Sequence, residues 1–219
     1  ARWTLRLDGR RAAEMAAAAA RTADEQREAE RLVADGPDKP FLDVLVWDAR
    51  RWLVVGAYGL ALRTDDGGAT WTPWMARLPN PKALHWYVAR RAGETLLLAG
   101  EQGLLARSDD GGASFRPLAS PYKGSWFAGE LLADGAVLLA GLRGNVWRSA
   151  DSGTQWAQIN SPVPASVNAI AVPADGRPLL ATQAGVVLRL QGDTLVPLNA
   201  GARLPMTAAL LAGPDGAML

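Results

Sequence analysis

The nonapeptide at residues 107–115, RSDDGGASF, recurs as RTDDGGATW at 63–71 and as RSADSGTQW at 148–156. Superposed, the copies share a hydroxyl residue (Thr64, Ser108, Ser149), an aspartate two positions on (Asp66, Asp110, Asp151), and a glycine two beyond that (Gly68, Gly112, Gly153). A closing aromatic (Trp71, Phe115, Trp156) ends each. Successive copies lie 44 and 41 residues apart. Self-similarity at such a fixed period marks a solenoid or a propeller.

The register extends upstream. A four-residue Gly-x-x-Gly turn, GAYG, GEQG or GLRG, precedes each copy and closes at Gly59, Gly103 or Gly144. A fourth copy, TQAGVVLRL, holds Gly185 at the turn and continues the series Arg63, Arg107 and Arg148 with Arg189, while its nonapeptide has decayed to LQGDTL. Short apolar runs fill the space between: FLDVLVW, WLVVGA, LALRT and TPWMARL in the first unit. These read as strands at about 41–48, 52–57, 60–64 and 71–78. Four strands in a unit of this length fit a propeller blade, whereas a helical repeat would show a 3.6-residue period. The expected fold class is all-β, a β-propeller of four-stranded antiparallel blades.

The units expected are an outer strand at 1–10, an inserted helix at 11–36, and blades at 37–80, 81–120, 121–162 and 163–200, the last with a degenerate nonapeptide. The start of a further blade falls at 201–219. Trp3 aligns with Trp71, so the chain reads as opening on an outer strand and ending inside a blade, an incomplete propeller. The alternative is a compact ring in which the leading strand completes the fifth blade. Residues 11–34 hold strong helix formers without Gly or Pro, and Gly36–Pro37 supplies a stop. A single helix of that length spans about 35 Å. It reads as a solvated decoration; the competing reading is that its small-residue side, from Met15 through Ala19 and Thr22 to Gln26, Ala29 and Val33, admits a partner's helix.

In a turn between two strands, a hydroxyl and a carboxylate accept from backbone N–H groups that no ladder satisfies, while glycine supplies positive φ. The nonapeptide is therefore read as a fastener, against the alternative of a calcium or substrate ligand. Among the 219 residues, 23 basic against 22 acidic side chains leave a charge of +1, too little field to argue for nucleic acid. No apolar run suits a spanning helix, so no direct membrane insertion is expected from this segment. The absence of cysteine excludes thiolate chemistry, and a lone histidine, His85, cannot build a histidine metal site. No metal or other cofactor is expected.

A Ser/Thr-x-Asp-x-Gly-x-Thr-Trp box at blade-length spacing resembles the Asp-box, or BNR, repeat of sialidases and of photosystem II stability/assembly factor-like propellers. GEQGLLARSDDGGASF and GLRGNVWRSADSGTQW are closer to the second group. VADGPDKPFLDVLVWD, VVGAYGL and PYKGSWF are similar to a bacterial branch whose genes often accompany RND-type exporters. The resemblance covers about 37–190. It implies a periplasmic or extracytoplasmic accessory factor that binds a protein, one embedded in the membrane such as an RND-type exporter.

In a propeller the Gly-x-x-Gly turns and the connections PNPKALHW, SPYKGSW and SPVPAS share the face opposite the boxes, and loops on one face carry binding. Tyr58, His85, Trp86, Glu101, Gln102, Tyr122, Lys123, Trp126, Arg143 and Gln183 are the candidate partner-binding residues, a mix of aromatics and few acids that suits protein recognition. The recurrent arginines are expected to bridge to a neighbouring blade's carboxylate or carbonyls, a basic ring being the alternative. The competing function is a sialidase-like glycoside hydrolase. It would need an arginine cluster, a Tyr–Glu pair and an acid/base Asp, and only Tyr58, Tyr87 and Tyr122 are available as tyrosines. No catalytic residue is assigned.

Overall fold

A computed structural model describes residues 4–36, 38–198, 211–212 and 217–218. Trp3 and most of 201–219 lie outside the described residues. Four four-stranded antiparallel sheets follow one another along the chain. The first holds β1 (Phe41–Val46), β2 (Trp52–Gly56), β3 (Ala61–Thr64) and β4 (Thr72–Pro73). The second holds β5 (Trp86–Ala92), β6 (Thr95–Gly100), β7 (Leu105–Ser108) and β8 (Arg116–Pro117). The third holds β9 (Trp126–Leu131), β10 (Val137–Gly141), β11 (Val146–Ser149) and β12 (Ala157–Ile159). The fourth holds β13 (Val167–Ala171), β14 (Leu179–Thr182), β15 (Val187–Gln191) and β16 (Thr194–Pro197). A short hairpin, β17 (Leu211–Ala212) with β18 (Ala217–Met218), comes after them.

Side-chain alternation explains how the sheets stack. Neighbouring residues of a strand point to opposite faces. Leu96 and Leu98 of β6 therefore join Leu53, Val55 and Trp74 of the first sheet, while Leu97 and Ala99 join Trp126, Val137 and Leu139 of the third. In β10, Leu138 and Ala140 turn the other way to meet Ile170, Leu180 and Leu188 of the fourth. A strand buried on both faces needs an unbroken apolar run, which is why TLLLAG and VLLAG read as they do. Each fully buried leucine contributes roughly 1.5–3 kcal/mol. The innermost strands β1, β5, β9 and β13 contact one another in that order. This is the blade architecture expected, with the blades arranged about a common axis.

The inserted segment differs from the single helix expected. It forms a hairpin of α1 (Gly9–Ala19) and α2 (Ala23–Asp35), because the backbone turns extended at Ala20 (φ −61°, ψ 132°). Thr22 followed by Glu25 is the sequence pattern of a capping box, a start signal inside the run that the helix-former count passes over. Asp8 caps α1 by accepting from Arg11 N at 2.8 Å, so Gly9 and Arg10 belong to the helix, and residues 4–8 carry no strand assignment. Nor is the hairpin a loose decoration. Ala13, Ala16, Ala29 and Leu32 bury against Leu60, with Phe41 and Met75 beside them. Of the side expected to admit a partner's helix, Ala29 is covered by the protein's own first sheet, while Thr22, Gln26 and Val33 are exposed.

Candidate functional site

On one face, each box closes on itself. Thr64 Oγ1 donates to Asp66 Oδ1 and accepts from Gly68 N, both at 2.9 Å. Asp66 then accepts from Thr70 N at 2.9 Å and from Thr70 Oγ1 at 2.6 Å. Ser108, Asp110, Gly112 and Ser114 repeat the set at 2.7, 2.8, 2.9 and 2.6 Å. Ser149 donates to Asp151 at 2.8 Å and accepts from Gly153 N at 2.8 Å; with Gln155 at the fourth position no hydroxyl reaches Asp151 there, and it accepts instead from Gln155 N at 2.8 Å and from Thr154 N at 3.1 Å. Hydrogen bonds to an ionised carboxylate favour its charge. The Thr70 hydroxyl and amide bring Asp66 from 3.8 down to about 2. Those of Ser114 hold Asp110 well below the usual carboxylate range, and Asp151 is lowered first by the Gln155 amide and then by Ser149.

The boxes also lock each sheet to the one before it. Gly112 and Gly153 sit at φ 90°. A Cβ there would lie 2.5 Å from the Trp74 ring and 2.6 Å from Leu118 of the preceding sheets. The Trp156 indole donates to Ala119 O at 3.1 Å, Trp71 donates to Arg6 O at 3.3 Å, and Phe115 meets Trp74 edge-on at 6.0 Å. Among the described residues no group of three His, Cys, Asp or Glu side chains is placed to hold a metal ion.

The Gly-x-x-Gly turns use backbone instead. At Gly56, Gly100 and Gly141 a Cβ would approach Pro40 O, His85 O and Ser125 O to 2.3, 2.1 and 2.1 Å. The next amide donates to that same carbonyl: Ala57 to Pro40 at 3.0 Å, Glu101 to His85 at 2.9 Å, Leu142 to Ser125 at 3.4 Å, and, in the fourth sheet, Gln183 to Ser166 at 2.8 Å. The third position is forced left-handed at Tyr58, Gln102 and Arg143 (φ 54°, 53° and 54°), a conformation costing roughly 1–2 kcal/mol for a residue with a Cβ. Such turns project their side chains outward. Gln102, Arg143, Gln183 and Lys123 are exposed, one or two on each successive sheet.

Tyr58, His85 and Glu101 come together. His85 Nδ1 accepts from Tyr58 N at 3.1 Å, and Glu101 Oε2 accepts from His85 N at 3.2 Å. A ring nitrogen that accepts carries no proton, so the 3.5 Å approach of His85 Nδ1 to Glu101 is not an ion pair. The cluster extends into an aromatic row that sequence reasoning missed. Lys39 Nζ stands 4.8 Å over the Tyr58 ring, which is 4.9 Å from His85; His85 is 6.1 Å from Tyr87, and Tyr87 5.2 Å from Phe127. Tyr87 and Phe127 are the extra residues where the inner strands slip register against β6 and β10. A bulge re-aims a side chain, and strand periodicity alone does not reveal one. Burial, then the Glu101 charge, raise the Tyr87 hydroxyl above its ordinary value.

Below this row, Arg90 of the second sheet donates to Asp43 of the first at 2.5 Å and to Glu130 of the third at 2.8 Å. Burial pushes Glu130 up while Arg90 pulls it back, and the net direction is upward. Two cavities flank Tyr58. One of about 600 Å³ is bounded by α2, the 81–85 connection and Glu101; the other, about 460 Å³, lies between the helical hairpin and the first sheet.

Two expectations are corrected, the exposure of Trp86 and Trp126 and the bridging role of the arginines. Trp86 and Trp126 are fully buried. They open β5 and β9 opposite Gly100 and Gly141 and belong to the core, so neither reaches a partner. Tyr122 is half-buried and packs on Trp126 at 5.3 Å, apart from the Tyr58 cluster. Three of the four recurrent arginines stay within their own sheets: Arg63 reaches Asp65, Arg107 reaches Asp109, both at 2.7 Å, and Arg148 reaches Asp134 at 2.6 Å. A carboxylate in the adjoining turn is closer than any across the sheet gap, and Arg63 also lies against Trp47 and Trp74 of its own sheet.

A family model described as photosynthesis system II assembly factor YCF48 matches residues 24–185. No curated protein matches the chain. A solved structure described as YCF48 bound to D1 peptide is 19% identical, with TM-score 0.66, and the match covers 82% of this chain and 59% of that one. YCF48 from Cyanidioschyzon merolae is 16% identical at TM-score 0.60, covering 78% and 60%. Virginiamycin B lyase from Staphylococcus aureus is 16% identical at TM-score 0.67, covering 79% and 60%. At these identities the structures share the propeller fold, and the chain spans about three fifths of their length.

Proposed function

The chain belongs to the photosynthesis system II assembly factor YCF48 family, and from that premise we propose that it is a non-catalytic scaffold that captures a protein segment on its Gly-x-x-Gly face. The observation that carries this reading is the cluster at Tyr58. A 41% exposed aromatic is held by backbone strain, with its amide on His85 and a lysine over its ring. Rigid aromatics beside cations are the anchors that protein recognition favours. A family member holding a peptide in a solved structure supports it. Glu101 is engaged by the His85 amide, which weighs against its serving as the partner of a nucleophilic tyrosine. The lyase likeness extends to the fold alone.

The finer reading is that the partner is a membrane-embedded complex, an RND-type exporter being the class the sequence resemblance names, met outside the cytoplasm. Among the described residues no helix is long and apolar enough to cross a membrane. A photo-crosslinking amino acid at Gln102 tests it against one at Thr70 on the box face. Membrane-protein adducts should form from position 102 and not from 70. Equal labelling from both faces, or none from either, refutes the scaffold reading.

A further inference from the structure

The two cavities beside Tyr58 differ in lining, one mainly apolar and the other mixed, and share a wall. The one between hairpin and sheet is lined by Ala16, Ala29, Leu32, Met75, Leu78 and Pro79, and the other by Asp24, Arg27, Arg31, Lys82, His85 and Glu101. Asp24, Tyr58, Pro81 and Ala83 border both. At about 460 Å³ the apolar chamber falls within the size range of pockets that hold ligands. On the polar side, three cations face two carboxylates. Arg27 pairs with Asp24, Glu101 is held by the His85 amide, and Arg31 is 3.9 Å from Asp35. Lys82 is exposed and has no partner among the described residues. With Asp35 counted, these cations and carboxylates are even in number, and Lys82 is the one cation left uncommitted.

The wall between the chambers is under constraint. Ala83 is held left-handed at φ 50° by Asn80, whose side chain bonds Leu84 N at 3.0 Å and Leu84 O at 2.8 Å. That occupies the side chain standing where Ser120 stands in the next connection. Ser120 Oγ accepts from the Trp126 indole at 3.2 Å, whereas the equivalent indole nitrogen of Trp86, fully buried, has no partner. The 79–84 connection is thus shaped at the expense of a buried hydrogen bond, a cost of about 1–3 kcal/mol. Such departures from local optimum concentrate where a fold serves binding.

We propose that this junction binds an extended partner segment in which a large apolar side chain is flanked by a carboxylate, the apolar group entering beneath the hairpin and the carboxylate meeting Lys82. This rests on the scaffold reading and assigns it a ligand chemistry. The probe is a fluorescent amidated peptide, Gly-Ser-Glu-Leu-Glu-Ser-Gly, followed by anisotropy, with versions carrying Ser for Leu and Gln for both Glu. Ala76 is exposed and borders the apolar chamber, so Ala76→Trp plugs it without disturbing the core. Ala76→Trp and Lys82→Glu should each weaken the parent peptide about tenfold at unchanged thermal stability, and the two altered peptides should bind the wild type as weakly. No binding of the parent peptide, or binding indifferent to both substitutions, overturns the proposal. Crosslinking of a membrane partner by wild type and Ala76→Trp alike sinks this site and leaves the scaffold standing; peptide capture without any partner adduct does the reverse.

Discussion

The two faces of the protein are built on the same repeat and use it in opposite ways. On the box face the repeated element is a side-chain circuit: hydroxyl, carboxylate and amide satisfy one another within nine residues, at nearly equal distances in three sheets. On the other face the repeated element is the backbone alone. A glycine admits a carbonyl, a left-handed residue follows, and the side chain at that residue is Tyr, Gln or Arg as the blade requires. Repetition that consumes side chains leaves none for recognition. Repetition confined to the main chain leaves each blade its own side chain to display, and Tyr58 is where that freedom has been used.

The contrast can be broken most severely at its backbone. Gly100→Ala places a methyl 2.1 Å from His85 O, where neither atom can yield, and should cost about 3 kcal/mol by urea denaturation; a loss under 1 kcal/mol would mean the carbonyl approach is not obligatory. Ser108→Ala probes the other face. It strands the Gly112 amide, a buried N–H that Ser108 Oγ holds at 2.8 Å, and should cost about 2 kcal/mol. Gln102→Gly sharpens the comparison in the opposite sense. Relief of the left-handed strain should raise stability by about 1 kcal/mol, whereas the same change at Val44, an exposed position of β1, should lower it.

Acid gives the smallest effect, since the box carboxylates face solvent. A carboxylate whose folded value is depressed contributes stability that is complete above its unfolded value and lost as pH falls through the folded one. For Asp66 that window runs from 3.8 to about 2, with Asp110 and Asp151 acting in the same direction. The thermal midpoint should hold above pH 4 and fall below it, and replacing all three by Asn should flatten that fall. A midpoint that drops equally in both proteins would place the acid sensitivity elsewhere.

The architecture was legible because its determinants are local. Gly-x-x-Gly and the box are contiguous in sequence, and a run such as TLLLAG announces burial on both faces. What escaped lies in relations between distant segments. Trp86 and Trp126 sit beside loop residues in sequence, yet the register against Gly100 and Gly141 turns them inward. The hairpin break was missed because strong helix formers on both sides outweighed the start signal at Thr22. Of the candidate site, Tyr58, His85 and Glu101 were named from their turn and connection positions. Tyr87 and Phe127 were not, because a bulge shifts them off the strand's alternation, and Lys39 and Lys82 took their significance only from the hairpin folding over the first sheet.

The guanidinium of Arg90 carries a consequence for how the molecule opens. Repeat arrays are ordinarily coupled only between nearest neighbours, and here the first and third sheets share neither a ladder nor a hydrophobic cluster. One arginine holding Asp43 and Glu130 together links those non-adjacent units, so amide protons throughout the first three sheets should exchange through a common cooperative opening, while the fourth, outside that link, frays independently.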